Sequence, residues 1–322
     1  MCVVALIYLE CACGTDKWVF AFYGGWVGLL KVGILTRNED SWCSRKLREA
    51  LKEHDVPHLC FSFPNLVARV GLKPEASLRE VNVLKDLSAI IVRPIGRGSL
   101  EEIILRMDLL HRLQRLGLYI LNPPSAIERA VDKFYALTLL EEAGLSVPRT
   151  IVTESADEAL AAFLELNSDV VLKPLFGSRG IGSTRISDPN IAERIFKALD
   201  FHHNVFYIQE FIPHGHSDIR AFVLGSRVLA AMRRVAEGSW KTNVSLGASP
   251  LALKLSTKLE DLAVKAAGAV GCEVAGVDIL EGSDGPLVIE VNSQPGWKGL
   301  QSVADIDIAE EIISFVLGRL KA

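Results

Sequence analysis

Residues 276–299 read GVDILEGSDGPLVIEVNSQPGWKG. Two apolar runs flank a polar turn at Gly282, Ser283, Asp284 and Gly285, and a Pro295-Gly296 turn follows. Asp278 lies between Val277 and Ile279, while Glu290 and Asn292 interrupt VIEVN. Strand side chains alternate between faces, so Glu290 and Asn292 share one, and a hairpin brings Asp278 onto it. A lone carboxylate is costly to bury in an apolar sheet, so such acids are paired or bind metal. Two carboxylates and an amide oxygen are hard ligands of the kind Mg²⁺ accepts beside water and substrate phosphates. A solvated strand face carrying ordinary acids explains this stretch equally well, and the choice falls to the residues upstream.

The chain has 322 residues, 49% of them apolar and 23% charged, which is a soluble globular balance with room for a sizeable core. A net charge of −4 gives no general attraction to nucleic acid or to an anionic membrane. The six cysteines, among them Cys11 and Cys13, form no CxxC pair; no disulfide framework is expected, and a cytoplasmic location is. Residues 1–30 are apolar and aromatic but lack a basic start and are broken by Glu10, Asp16 and Lys17. They suit neither a signal peptide nor a membrane span. They read as an extension outside the fold, or as a start assigned too far upstream.

From Lys31 onward, short apolar runs alternate with helical spacing: KVGILT, a helix over 42–54, HLCFSF, SAIIV, a helix over 100–116, and LYILN. This alternation predicts a parallel sheet with covering helices, a first domain closing near Asn122. A single helix over 125–144 is expected next, stopped by Gly144. Strands at 149–153 and 170–173 should flank a helix over 155–167. A helix near 190–199, the strand VFYIQEFI, two strands around Gly225-Ser226, and helices over 256–269 and 306–320 complete the reading.

FGSRGIGS at 176–183 is a glycine-rich loop whose backbone can approach a phosphate closely. It is neither a Walker A loop nor a dinucleotide fingerprint. Lys173 ends the apolar strand just upstream, and Lys133 opens an apolar helix, where a phosphate partner would offset its unfavourable place on the helix dipole. Most single lysines are nevertheless solvated. Gln209 and Glu210 close a strand that runs into Pro213, and free backbone groups there can meet an adenine edge. Asp218 and Arg220 share a strand face, and Arg233, Arg234 and the segment Trp240-Lys241-Thr242-Asn243 add further polar groups. Cations set against Asp278, Glu290 and Asn292 are what phosphoryl transfer from a metal-bound nucleotide requires.

In this order, Lys133, Lys173 with GSRGIG, QEFI, DIR, WKTN, GVDIL and EVNSQPG resemble the ATP-grasp superfamily, and within it the RimK-like α-L-glutamate ligases. The resemblance runs from about Leu35 to the C-terminus. It implies an α/β chain with the ATP-grasp fold behind an N-terminal parallel-sheet domain: 1–30 an extension, 31–123 the N-terminal domain, 124–212 a lid-like subdomain, 213–322 a C-terminal subdomain with the metal site. It implies ATP with Mg²⁺ or Mn²⁺, two ions, and a substrate carboxylate phosphorylated and then attacked by an amine. Lys133 and Lys173 would hold phosphates, helped by Gly177, Ser178, Gly180 and Gly182 of the loop. Glu210 and Phe211 would meet adenine, Asp218 the ribose, and Lys241, Thr242 and Asn243 the γ-phosphate end. Asp278, Glu290 and Asn292 would hold metal, while Arg220 and Arg233, with Lys241, would steady the acyl phosphate by charge.

The implied partners are ATP, L-glutamate, and a pterin- or deazaflavin-type cofactor or a peptide end, with a homodimer or homotetramer as the assembly. Lys241 stands where the ribosomal-protein-modifying relative has arginine, which trades a fork for a point charge. Ala248 replaces a usual glycine. The PGWKGLQ ending is similar to members that act on a tetrahydromethanopterin-type pterin. Trp297 either stacks on such a ring or packs internally. Arg93, Arg97 and Arg106 either form a substrate carboxylate site at the sheet's end or lie on the surface. His202, His203, His214 and His216 fit no zinc pattern and read as solvated. Another ATP-grasp reaction, of the lysine-pathway carrier-protein or D-Ala–D-Ala kind, and a non-catalytic nucleotide binder are the alternatives.

Overall fold

The computed structural model describes residues 4–9, 17–22, 27–177 and 180–321. Cys2, Cys11, Cys13 and Ser178 lie outside the described residues. Residues 1–125, 296–301 and 305–322 make one compact unit, and 126–295 with 302–304 make the other.

In the first unit, strands Val4–Leu9, Lys17–Phe22 and Val27–Leu29 form an antiparallel sheet of three. The main sheet of this unit is parallel, in the order Tyr119–Leu121, Ala89–Val92, Val32–Leu35, His58–Phe61. Its central strands are buried throughout (VGIL and AIIV), as expected of a parallel sheet covered on both faces. Helix Trp42–Glu53 starts at Ser41, whose side chain accepts from the Ser44 amide. Helix Leu100–Arg115 starts with a Ser99/Glu102 capping box. The C-terminal helix Ile308–Lys321 buries Ile312, Ile313 and Val316, and Glu310 meets His54, the residue that ends the first helix, at 2.6 Å. A small antiparallel sheet over Leu66–Ala68, Ala76–Leu78 and Val81–Asn82 has no counterpart in the sequence reading.

The second unit holds two antiparallel sheets. The first runs Thr150–Thr153, Phe206–Glu210, Val170–Lys173, Thr184–Ile186. Alternation sends Val170, Leu172, Phe206 and Ile208 into a core with Phe163 and Phe196 of helices Ala156–Glu165 and Pro189–Asp200. Val171, Lys173 and Gln209 are left on the face without helices. The second sheet has five strands: Ser249–Ala252, Arg227–Val235, Ser217–Leu224, Val274–Gly282, Gly285–Asn292. Its apolar face, including Ile219, Ala221, Val277, Ile279 and Val291, packs on alanines of helix Thr257–Val270 and on Leu137 and Leu140 of helix Lys133–Glu142.

The single helix expected over 125–144 is two, Pro124–Val131 and Lys133–Glu142. Asp132 breaks it, because its carboxylate caps the second helix by accepting from the amides of Phe134 and Tyr135. Among the described residues, no helix is long and apolar enough to cross a membrane.

Candidate active site

The polar face of the five-stranded sheet gathers acids and arginines by register. Asp278 lies opposite Arg220 on one side and Glu290 on the other; Asp218 faces Arg234, and Gly276 faces Asn292. A bulge makes this possible. Asp278 pairs with Glu290, but Ile279 pairs with Val288, so Ile289 is the extra residue. Val288 therefore faces the core while Glu290, two residues on, faces the site. Arg220 grips both oxygens of Asp278 through Nε and Nη2, and Arg234 reaches Asp278 at 3.0 Å while forking onto Asp218. Asp218 and Asp278 are each only 2% exposed, so these pairs are buried.

Burial disfavours the charge on Asp278, but Arg220 and Arg234 outweigh it and hold the carboxyl below the usual carboxylate range. Burial pushes Asp218 up against the pull of Arg234. Burial first, then the neighbouring charge of Asp278, pushes Glu290 up as well. Asn292 donates Nδ2 to the Gly276 carbonyl at 3.3 Å, which leaves its Oδ1 to act as a ligand. Among the described residues no three His, Cys, Asp or Glu side chains gather as a metal set. An oxygen site on this sheet thus needs the amide of Asn292, and the hard donors Asp278, Glu290 and Asn292 fit Mg²⁺.

Cations face these acids across the pocket. Lys173 Nζ donates to Gln209 Oε1 at 2.5 Å, and burial brings its pKa down to about 8. Lys133 Nζ donates to the carbonyls of Leu175 and Gly177, each at 3.1 Å, and burial lowers its pKa too, opposed by Glu290. The glycine-rich loop closes on Asn243: a side chain on Gly180, at φ +68°, would meet Asn243 Oδ1 at 2.6 Å. Lys241 lies over the Trp240 ring, 5.3 Å from its centroid.

The strand Phe206–Glu210 forms the remaining wall. Arg149 holds the Glu210 carboxylate through its amide (2.8 Å) and Nε (2.7 Å). The amides of Glu210 and Phe211 are already engaged. The Glu210 amide donates to the Arg149 carbonyl and the Phe211 amide to that of Asp169, both at 2.9 Å, because each continues an edge pairing. Ile212, whose amide has no such partner among the described residues, lines the pocket before Pro213.

One pocket is thus lined by Lys133, Lys173, Gly177, Gly180, Glu210 and Phe211 together with Asp218, Lys241, Thr242, Asn243, Asp278 and Glu290. Arg220 reaches it through Asp278, and Asn292 shares its sheet face. Gly182 is not among the lining residues, and a Cβ there would meet Pro174 at 3.3 Å. Arg233 is not brought in. It pairs with Glu281 at 2.6 Å, because strand alternation puts Arg234 on the site face instead. The sequence reading gave no site role to Arg234, His214 or Trp240, all of which line the pocket; the alternation from Asp218 across the register would have found Arg234. His214 is half-buried, with Nδ1 at 3.1 Å from the Ser217 carbonyl, so it is not the solvated histidine expected.

Of the other arginines, Arg106 is buried and spends its guanidinium on the carbonyls of Ile95 and Arg97 and on Glu102. Arg93 is buried over the face of Trp297, which is itself 1% exposed and edge-on to Trp42. Trp297 is packing.

A mixed α/β scaffold with facing antiparallel sheets, a glycine-rich loop and an acid row opposite lysines defines an ATP-grasp protein. The RimK-like ATP-grasp domain matches residues 130–316. The chain belongs to the RimK-like ATP-grasp family and is an ATP-dependent C–N ligase. It is 34% identical to the tetrahydromethanopterin:alpha-L-glutamate ligase of Methanocaldococcus jannaschii, over 91% of this chain and 100% of that one. It is 35% identical to a probable alpha-L-glutamate ligase of Pseudoalteromonas translucida, over 89% and 95%. Among solved structures, the RimK domain ATP-grasp protein of Sphaerobacter thermophilus superposes with a TM-score of 0.71 at 24% identity, covering 89% of this chain and 100% of that one. The ATP-grasp ligase PsnB, solved with a minimal precursor, Mg and ADP, gives 0.72 at 21%, covering 90% and 97%; these two likenesses speak for the fold.

Proposed function

We propose that the protein uses ATP to join L-glutamate to a carboxylate-bearing cofactor of the tetrahydromethanopterin type, through an acyl phosphate. The observation that carries this is the pairing of Asp278 with Glu290 opposite Lys133 and Lys173 in one pocket. The name of the Methanocaldococcus jannaschii relative supports the choice of glutamate and of a pterin acceptor.

In this reading Lys133 and Lys173 neutralise the phosphates, and the glycine-rich loop, including Ser178, covers them. Ile212 offers its amide to the adenine edge, with Glu210 and Phe211 as that wall. Asp218 holds the ribose, and Lys241, Thr242 and Asn243 stand at the γ-phosphate end. Asp278, Glu290 and Asn292 hold Mg²⁺ or Mn²⁺, two ions in all, which supply charge neutralisation for the transferring phosphoryl group. Arg220, fixed on Asp278, lends positive charge to the acyl phosphate, and Arg234 takes the part expected of Arg233. The chemistry is positioning and electrostatics, so no general base is required of the chain. The halves 124–212 and 213–322 acting as lid and base, a cytoplasmic location, and a homodimer or homotetramer belong to the same reading.

ADP release with Mg²⁺ and ATP tests it. L-glutamate and single acceptors are added separately and together: tetrahydromethanopterin, a glutamyl deazaflavin, and a ribosomal-protein tail peptide. Release that requires glutamate and the pterin, with a mass gain of one glutamyl residue, is expected. Release with other amino acids and never glutamate would remove the glutamate assignment. Glu290→Ala should abolish ADP release while leaving the circular dichroism spectrum unchanged; normal release would overturn the metal set.

A further inference from the structure

Phe211 lines the pocket at its proposed adenine end, and a closed set of contacts outside the pocket holds it. Its amide donates to the Asp169 carbonyl at 2.9 Å. The Asp169 carboxylate accepts two bonds from Arg185, from Nε at 2.8 Å and Nη2 at 2.7 Å. The Arg185 guanidinium then lies over the Phe211 ring, 3.5 Å from its centroid. Asp169 therefore fixes Phe211 twice, directly at the backbone and through Arg185 at the ring face. His214 and Trp240 stand beside the same ring, at 5.9 and 6.1 Å between centroids.

Stability is a weak explanation for this pair. The side chains of Arg185 and Asp169 are 39% and 37% exposed, and exposed ion pairs contribute little. A two-pronged fork held over an aromatic face is instead a way to fix a ring plane. Arg185 also belongs to the strand Thr184–Ile186, which begins where the glycine-rich loop ends. The ring is thus tied to the first residues after the phosphate-covering loop.

We infer that Asp169 and Arg185 are positioning residues that set the plane of Phe211 and, through it, the affinity of the pocket for an adenine base. The inference rests on the reading of this pocket as the ATP site. Calorimetric titration with ADP and Mg²⁺ tests it as a double-mutant cycle. Arg185→Met should weaken ADP binding about tenfold, Phe211→Ala at least as much, and the double variant no more than Phe211→Ala alone. Arg185→Lys, which keeps the charge and loses the fork, should fall between wild type and Arg185→Met. Thermal unfolding without nucleotide should be the same for wild type, Arg185→Met and Arg185→Lys. Additive losses, or wild-type affinity in Arg185→Met, would overturn the inference. If Arg185→Met does not fold, Asp169→Asn takes its place in the same cycle. Wild-type protein that binds no ADP would overturn the ATP reading together with this inference. Wild-type binding with an additive cycle would overturn this inference alone.

Discussion

Lys173 shows how much one buried ammonium can govern. Burial, opposed by Glu290 and reinforced by Lys133, brings its pKa from 10.5 to about 8. Between those values the folded chain binds fewer protons than the unfolded one, so stability rises as pH climbs through that window. Nucleotide affinity runs the other way, because a phosphate favours the charged ammonium. Titration should show ADP binding weakening by up to about tenfold per pH unit above about 8. Lys173→Arg should remove that break; a dissociation constant flat across the window in wild type would contradict it. The two adjacent arginines make a second test. Arg234→Ala leaves Asp218 buried without its partner and should cost about 3–5 kcal/mol in denaturant unfolding, with loss of turnover. Arg233→Ala removes the half-exposed pair with Glu281 and a long bond to the Ser217 hydroxyl, about 0–1 kcal/mol, and should leave turnover unchanged. Both residues were visible as cations in the sequence. Which one faces the acids depends on cross-strand register, which spacing along a single strand does not carry.

At the scale of elements, the long amphipathic helices and the Asp278/Glu290 hairpin were legible, because their periods extend over many residues. Short pieces were not. The strands at 66–82 are three residues or fewer each, too brief for alternation to stand out. The break at Asp132 hides inside an unbroken apolar period, since a cap is a hydrogen-bonding event and leaves periodicity untouched. The bulge at Ile289 is likewise silent in sequence, yet it puts Glu290 and Val288 on opposite faces. Deleting Ile289 leaves plain pairing in which Val288 still meets Ile279 and Glu290 still meets Asp278, so the acid row stays on the site face. That variant should keep its circular dichroism spectrum and its binding of ADP with Mg²⁺ in a calorimetric titration. Loss of the fold or of all binding would mean that the bulge itself is needed to present Glu290.

At the scale of the whole molecule, the chain leaves its first unit after residue 125 and comes back to it at 296–301 and 305–322. No hydrophobic pattern announces such a return, because periodicity describes faces and says nothing about which neighbour covers them. Helix Ile308–Lys321 packs along Trp42–Glu53 and buries Ile308, Ile312, Ile313 and Val316. Truncation after Ala304 should therefore lower the melting transition of the first unit, followed by proteolysis within residues 31–125, while ADP binding at the second unit persists. Cleavage falling first within 126–295 would argue against that division. The same layout gives the polypeptide an order of birth. The nucleotide-binding unit is almost wholly contiguous and can settle while translation is still under way. Most of the first unit, although made before the second, must wait for residues 305–321 before their helix can dock, so a nascent chain carries residues 31–125 unfinished until that helix has followed the second unit out.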